Sequence, residues 1–547
     1  MKLNSMAIRI VLVAFALLSN NSPALIAGSG NVATAKKPNV PKPNVLVILA
    51  DDLGYSDLGC YGSEISTPNL DQLATNGLRY SSFYNTARCW PTRAALLTGY
   101  YPQQIHRDAL PTIPGGASPK FRRPVWAPLL PHVLKPLGYR SYYSGKWHID
   151  GTPAEGGFDH SYELGDQGRY FRPGKHLEDG KPLPSAQDEK AYYSTIAIAN
   201  HAIRCLVDHA ASNADKPFFQ YVAFTAPHFP LQALPQDIAK YADRYRAGWE
   251  DVRQSRWKRM QAIKLAEGSL SAVERQQGPP YPFPEQVKKF GPGEVSLPVP
   301  WVELNEAQQE FQATKMAIHA AMIDRMDQEI GRILDQLRKM KALEDTLVLF
   351  LSDNGASAEM MVRDDGHDPN ALPGSAATHL CLGPGWSTVS NTPFRRHKTW
   401  VHEGGIATPL VAHWPNGISA RGELRHGASH VIDIVPTVVQ LAHGTMPAEW
   451  QGETVPLTPG KSLVKSFEND SVIHSEPIWW LHEGNRALQV ELWKIVSEKN
   501  QPWELYHLKS DRAEQHNLAT ENPETLNRLI AEWDRLTAEF TELSSRP

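Results

Sequence analysis

Cysteine is scarce in this chain, with four residues in 547, at positions 60, 89, 205 and 381. A disulfide scaffold needs a denser set, and the spacing fits no zinc pattern, so neither is expected. Pairing among Cys60, Cys205 and Cys381 stays open. Charge of one sign is also lacking. Lys and Arg number 55 against 59 Asp and Glu, a formal net charge of −4. That supplies neither a basic face for nucleic acid nor a disordered acidic tail. No internal repeat is visible. No apolar run reaches the ~20 residues of a membrane span, so no stable membrane insertion is expected. What remains is an ordinary globular composition, 41% hydrophobic, with 43 prolines that suit long irregular loops.

Residues 1–35 read as a signal peptide. Lys2 and Arg9 precede a short apolar stretch at 10–18, and Ala33-Thr34-Ala35 fits an A-x-A cleavage site. The expectation is an exported protein, periplasmic or secreted, that begins near Lys36. The continuous apolar run NVLVILA, Asn44–Ala50, reads as a strand buried on both faces. Helical and strand-like stretches then alternate. Helices over 129–137, 191–210 and 309–340 precede strands over 140–144, 218–224 and 346–351. The last helix carries Met316, Ile323, Met326, Ile330, Ile333 and Leu337 on one face. Such alternation predicts an α/β fold, with a large, mostly parallel sheet sandwiched by helices.

The large domain is read as 36–465. Residues 229–308 read as a surface insertion, whose charged helical piece at 237–265 looks like a solvated face. Beyond 466 the chain reads as a smaller C-terminal α+β domain, with strands at 487–496 and 503–508 and a helix opened by Pro523. The stretch WWLHEGN, with Trp479, Trp480, His482 and Asn485, has two readings: a wall that closes over a ligand, or an apolar domain junction.

The stretch around which the rest is organised is CWPTRAALLTG, Cys89 to Gly99. Pro91 suits a first helical turn, the following residues are mostly good helix formers, and Gly99 suits a terminator. Cys89 is therefore expected at a helix N-terminus, where free N–H groups and the dipole favour an anion. Polar residues also recur just beyond expected strands. Asp51 and Asp52 follow the first, Lys146 and His148 the second, His228 the third, and Asp353 and Asn354 the fourth. Lys398 lies upstream of the apolar run at 409–414. Ligands of parallel α/β sheets bind beyond the strands' carboxyl ends. The carboxylate and amide oxygens suit a hard cation such as Ca²⁺ or Mg²⁺ rather than zinc.

On these residues the chain resembles the type I sulfatases of the alkaline phosphatase superfamily. Cys89, Pro91, Arg93, Leu97, Thr98 and Gly99 match the family's modification signature. The stretch 391–409 is similar to its arylsulfatase branch, with Ala407-Thr408 where many members have Arg-Val. The resemblance implies that a formylglycine-generating enzyme oxidises Cys89 to formylglycine, and that the hydrated aldehyde attacks sulfur. It implies that Asp51, Asp52, Asp353, Asn354 and the modified Cys89 hold one Ca²⁺. It places Arg93, Lys146, His148, His228 and Lys398 around the sulfate. General-base help falls to Asp353, leaving-group protonation to His228 with Lys398, and the second diol proton to His148. The function so implied is hydrolysis of an aryl sulfate or a sulfated carbohydrate. Two alternatives stand beside it: a phosphonate monoester or phosphodiester hydrolase of the same superfamily, and a non-catalytic glycan-binding protein with an unmodified Cys89.

Overall fold

The computed structural model describes residues 41–108, 122–165, 169–186, 192–362 and 366–546. The signal peptide expected at 1–35 lies outside them. Among the described residues no helix is long and apolar enough to cross a membrane.

A ten-stranded mixed sheet forms the centre. Its middle is β1 (Asn44–Ala50), flanked in parallel by β3 (Phe218–Ala223) and β4 (Thr346–Ser352). Next to β3 lies β2 (Arg140–Gly145), also parallel. Beyond β4 lies β5 (Leu410–His413), antiparallel. The reason β1 is apolar after Asn44 is visible in its packing. Leu46, Ile48 and Ala50 face one core, and Val45, Val47 and Leu49 face the other. Successive side chains of a strand point to opposite faces, so a strand with two buried faces cannot alternate with polar residues.

The helix α1 (Pro68–Thr75) starts with Pro68 at its first position. The helix α2 (Cys89–Thr98) is buried on all sides and stops at Gly99, which has φ 79° and donates its N–H to the Ala95 carbonyl. The helix α3 (Ser194–Ser212) packs against the long α5 (Glu306–Lys339). Asn305 and Gln308 form a reciprocal capping box at the start of α5. All six apolar residues expected on its inner face are fully buried.

The segment 229–308 departs in part from the expected solvated charged face: Asp243, Arg244, Arg246, Asp251 and Lys258 are exposed, whereas Asp237, Arg253 and Arg256 are buried. Its main helix, α4 (Trp249–Ala262), starts at Gly248 and buries Arg253 and Arg256. Arg256 pairs with Asp57 at 2.6 Å and Glu64 at 2.8 Å. Its charges are matched by residues nearly two hundred positions away, which no local pattern reveals.

The C-terminal part is a four-stranded antiparallel sheet of β6 (Ile478–His482), β7 (Asn485–Val490), β8 (Trp493–Ser497) and β9 (Glu504–His507), followed by α6 (Pro523–Ser544). The single strand expected over 487–496 is two strands. The hairpin turns at Glu491-Leu492, with Glu491 at φ 52°, and lacks the Gly or Asn that normally marks such a turn. WWLH, read above as a wall or a junction, is itself a strand.

Candidate active site

Strands β1, β2, β3 and β4 run in parallel, so their carboxyl ends share one edge of the sheet. The ladder extends just past the strands: the Asp353 N–H donates to the Ala50 carbonyl and the Asp51 N–H to the Ala226 carbonyl, both at 3.1 Å. Asp51-Asp52 and Asp353-Asn354 therefore emerge side by side. Two glycines permit the close approach. A Cβ on Gly145 would lie 1.9 Å from the Ala223 carbonyl oxygen, and one on Gly355 would lie 1.9 Å from that of Gly404. Asp52 and His148 sit at φ 66° and 54°, a left-handed conformation that carries strain outside glycine and often accompanies functional sites.

The four metal-ligand candidates are buried, as are Cys89, Arg93, Lys146, His228 and Lys398, while His148 is half-buried. Arg93, from α2, donates from Nε at 3.0 Å and from its second terminal nitrogen at 2.7 Å to Asp353 Oδ2, and lies 3.4 Å from Asp51 Oδ2. Its other terminal nitrogen donates to the Lys146 carbonyl at 2.6 Å. Lys146 Nζ donates to Asp51 Oδ2 at 2.5 Å, and Lys398 Nζ lies 2.8 Å from Asp52 Oδ1. His228 Nε2 lies 3.7 Å from Asp52 Oδ2. The structure thus brings together every residue singled out at the strand ends. Cys89 joins them electrostatically, since its thiol feels Lys146, Lys398, Asp51 and Asp353.

Electrostatics sets the carboxylates apart from one another. Burial pushes Asp51 up, but Lys146, His228 and Arg93 outweigh it and hold the group below its ordinary value. Asp353 goes the other way: burial and the neighbouring Asp51 push it up to about 7, despite Arg93 and Lys146. The three buried carboxylates repel one another, and Arg93, Lys146 and Lys398 offset part of that repulsion. Two oxygens in the cluster, Asp51 Oδ1 and Asn354 Oδ1, are buried and make no hydrogen bond among the described residues. Buried polar atoms are nearly always satisfied, so these two are natural ligand positions. Oxygen atoms of Asp51 and Asp52 and a nitrogen of His228 fall within 4.8 Å of one another. The donor set fits a hard divalent cation.

Burial raises the Cys89 thiol despite Lys146 and Lys398. An unmodified Cys89 is therefore a neutral thiol near pH 7 and a poor nucleophile. His148 is held well below its ordinary value by burial, and then by Lys146 and Arg93. It is a neutral imidazole, and its Nδ1 has no hydrogen-bond partner among the described residues.

Sequence reasoning missed two buried residues here. Glu359 lies 2.9 Å from Lys398 Nζ and 2.9 Å from Arg88. Burial pushes Glu359 up, but Arg88 and Lys398 together hold it well below the carboxylate range. Arg88 also donates to Thr399 Oγ1 at 2.7 Å. Adjacency to Cys89 could have pointed to Arg88, whereas nothing local marks Glu359.

A family model described as Sulfatase matches residues 43–445, and one described as N-sulphoglucosamine sulphohydrolase, C-terminal, matches 395–540. An uncharacterised sulfatase of Schizosaccharomyces pombe is 31% identical over 92% of this chain and 94% of its own. An arylsulfatase of Klebsiella aerogenes is 30% identical over 81% of this chain and 91% of its own. A solved structure in complex with its substrate D-glucosamine-2-N,6-O-disulfate shares the fold, with a TM-score of 0.61 at 19% identity, over 93% of this chain and 100% of that one. The family model covers the parallel sheet and every strand-end residue described above, and the chain belongs to the sulfatase family.

Proposed function

We propose that this sulfatase cleaves sulfate monoesters with a formylglycine made from Cys89, at a calcium site held by Asp51, Asp52, Asp353, Asn354 and the modified residue 89. The observation that carries the reading is the pair of unbonded buried oxygens, on Asp51 and Asn354, inside a cluster of three carboxylates. Calcium bound there supplies positive charge that offsets the carboxylates and polarises oxygen near the attacked sulfur.

The rest of the chemistry falls to the chain's own groups. Hydrated formylglycine offers two hydroxyls on one carbon, one to attack sulfur and one whose deprotonation restores the aldehyde and releases sulfate. Arg93, Lys146 and Lys398 present fixed positive charge to the sulfate oxygens, in a site that keeps water out. Asp353 assists removal of the proton from the attacking hydroxyl. His148, neutral and with an Nδ1 that makes no hydrogen bond among the described residues, takes the proton of the second hydroxyl. His228 and Lys398 deliver a proton to the departing alcohol oxygen. General acid–base steps of this kind contribute about 10²–10⁴ each in rate.

Three measurements on one preparation test the reading: peptide mass at position 89, metal content, and a panel of aryl sulfate, sugar sulfate and phosphodiester substrates. Aldehyde at position 89, one calcium per chain and a preference for sulfate are expected. A preparation that is entirely thiol at Cys89 yet fully active would refute the nucleophile, and phosphodiester preference would refute the substrate.

A further inference from the structure

The WWLHEGN stretch is the one motif that the chemistry above leaves unused, and its placement is informative. The hairpin of β6 and β7 turns at Glu483-Gly484, with φ 49° and 89°, the left-handed pair that tight hairpins require. Residues two apart on a strand share a face. On one face Trp480 donates its indole N–H to the Asn85 carbonyl at 2.8 Å, four residues before Cys89. His482, two residues on, then meets Trp90, the residue after Cys89, with ring centroids 5.7 Å apart.

Asn485 fixes the tip of the hairpin. Its Nδ2 donates to the Thr399 carbonyl and to the His482 carbonyl, both at 3.2 Å, which ties His482 to the loop of Lys398. On the outer side, Tyr281 Oη donates to the Glu483 carboxylate at 2.8 Å. Arg88 lies between the rings of Trp90 and Tyr281, 5.1 and 5.3 Å from their centroids. The hairpin thus packs beside Cys89, linked through Arg88 and Tyr281 to the 229–308 segment.

His482 is 2% exposed, and neither of its ring nitrogens makes a hydrogen bond among the described residues; Nε2 lies 3.6 Å from Glu483 Oε1, beyond hydrogen-bond distance. The indole N–H of the neighbouring Trp90 has no partner among the described residues either. Burial, then Arg88 and Lys398, push the His482 imidazole down to about 3, so it is neutral, with one nitrogen donating and one accepting. A buried imidazole with both nitrogens unmet costs stability unless something bonds it. A hydroxyl group, which also donates and accepts, is its chemical complement.

We propose that His482 is a specificity-determining residue that hydrogen-bonds a hydroxyl of the substrate's alcohol portion, close to the ester oxygen, and so selects sulfated carbohydrate over simple aryl sulfate. This rests on the sulfatase reading above and narrows it. Asn485 and Thr399 are positioning residues for it.

The test compares kcat/KM for 4-nitrophenyl sulfate with a panel of monosulfated monosaccharides, and with analogues of the best of these lacking one hydroxyl each. In the native enzyme, removal of one particular hydroxyl should cost at least about tenfold, since it leaves the imidazole unpaired. His482→Phe should lower the sugar-to-aryl ratio of kcat/KM by about tenfold or more and abolish that single-hydroxyl effect, whereas His482→Gln, which keeps a donor and an acceptor, should retain part of both. If no deoxy analogue loses more than threefold in the native enzyme, the inference fails whether or not the variants fold. Equal losses on sugar and aryl substrates in His482→Phe would also overturn it, by pointing to support of the catalytic groups. A native enzyme that cleaves 4-nitrophenyl sulfate but no sugar sulfate sinks this inference alone, whereas one that releases sulfate from nothing sinks the sulfatase reading beneath it.

Discussion

Glu359 offers the sharpest test of the charge arrangement, because one change perturbs two cations. Its carboxylate holds Arg88 and Lys398 at 2.9 Å each and accepts from Ser357 Oγ at 3.0 Å, with 1% of the side chain exposed. Glu359→Gln keeps the shape and one acceptor but removes the charge. Lys398 retains Asp52 at 2.8 Å, whereas among the described residues Arg88 keeps only the neutral hydroxyl of Thr399 as a further hydrogen-bond partner. Removing one partner of a buried ion pair costs about 3–5 kcal/mol, because the other charge is left unmatched. The compact unit spans Lys42–Pro547, about 500 residues. At ~2.1 cal/mol/K of unfolding entropy per residue, that gives roughly 1 kcal/mol per degree. The thermal midpoint should therefore fall by about 3–5 °C at pH 7.

The pH dependence carries a definite sign. Glu359 is held well below its ordinary 4.5 in the folded state. Its contribution is thus complete above about pH 4.5 and is lost progressively as pH falls further, where the unfolded chain's carboxylate takes up a proton before the folded one does. Scanning fluorimetry at a fixed scan rate, from pH 8 to pH 4, should show a constant gap between native protein and variant down to about pH 5, and a narrowing gap below it. A variant within 1 °C of native protein at pH 7, or a gap that widens in acid, would refute the pairing.

Chelation should abolish turnover and calcium should restore it, and Asp51→Asn combined with Asn354→Ala should remove the tight calcium seen by metal analysis, because these are the unbonded oxygens. His228→Ala and Lys398→Ala should each lose about 10²–10⁴ in kcat on alkyl or sugar sulfates and much less on 4-nitrophenyl sulfate, whose phenolate leaves with little help; equal losses would assign both to binding. Protein made without a formylglycine-generating enzyme should fold normally, carry a thiol at 89 by peptide mass, and show background activity that co-expression of that enzyme restores. Cys89→Ala should resist that rescue.

Much of this site was legible because its residues follow strands whose character is written locally. NVLVILA is apolar at every position after Asn44 because both faces are buried, and a reader of the sequence can place Asp51-Asp52 at its end. The same holds for Asp353-Asn354 after Thr346–Ser352. Helix α2 was equally plain, from Pro91 in its first turn to the left-handed Gly99 at its end. What stayed hidden depends on pairing over long distances. Arg256 reads as surface charge until Asp57 and Glu64 are placed against it. Glu359 looks like any loop glutamate until Arg88, 271 positions away in sequence, is seen beside it. For WWLHEGN the junction reading holds for the tryptophans: Trp479 and Trp480 pack into the two cores, because alternate residues of a strand serve opposite sides.

The division of labour among the carboxylates belongs to the same hidden class. Residue type alone makes Asp51, Asp52 and Asp353 equivalent. In the fold each has a distinct set of partners. Asp52 accepts from Lys398 and Asn354, and Asp353 accepts from Arg93 through Oδ2 and from the Asp52 backbone N–H at 3.2 Å through Oδ1. Asp51 bonds Lys146 through Oδ2 and leaves Oδ1 unmatched. Each carboxylate is thus tied to a cation proposed to contact sulfate, so the proposed metal ligands and the proposed sulfate contacts are a single hydrogen-bonded cluster. Loss of Arg93 would free Asp353 from its strongest counter-charge and, through Asp51, disturb Lys146. Its effect should exceed that of deleting one sulfate contact, and it should appear in metal affinity as well as in turnover. A variant Arg93→Ala that binds calcium as tightly as the native protein would show the two halves to be independent.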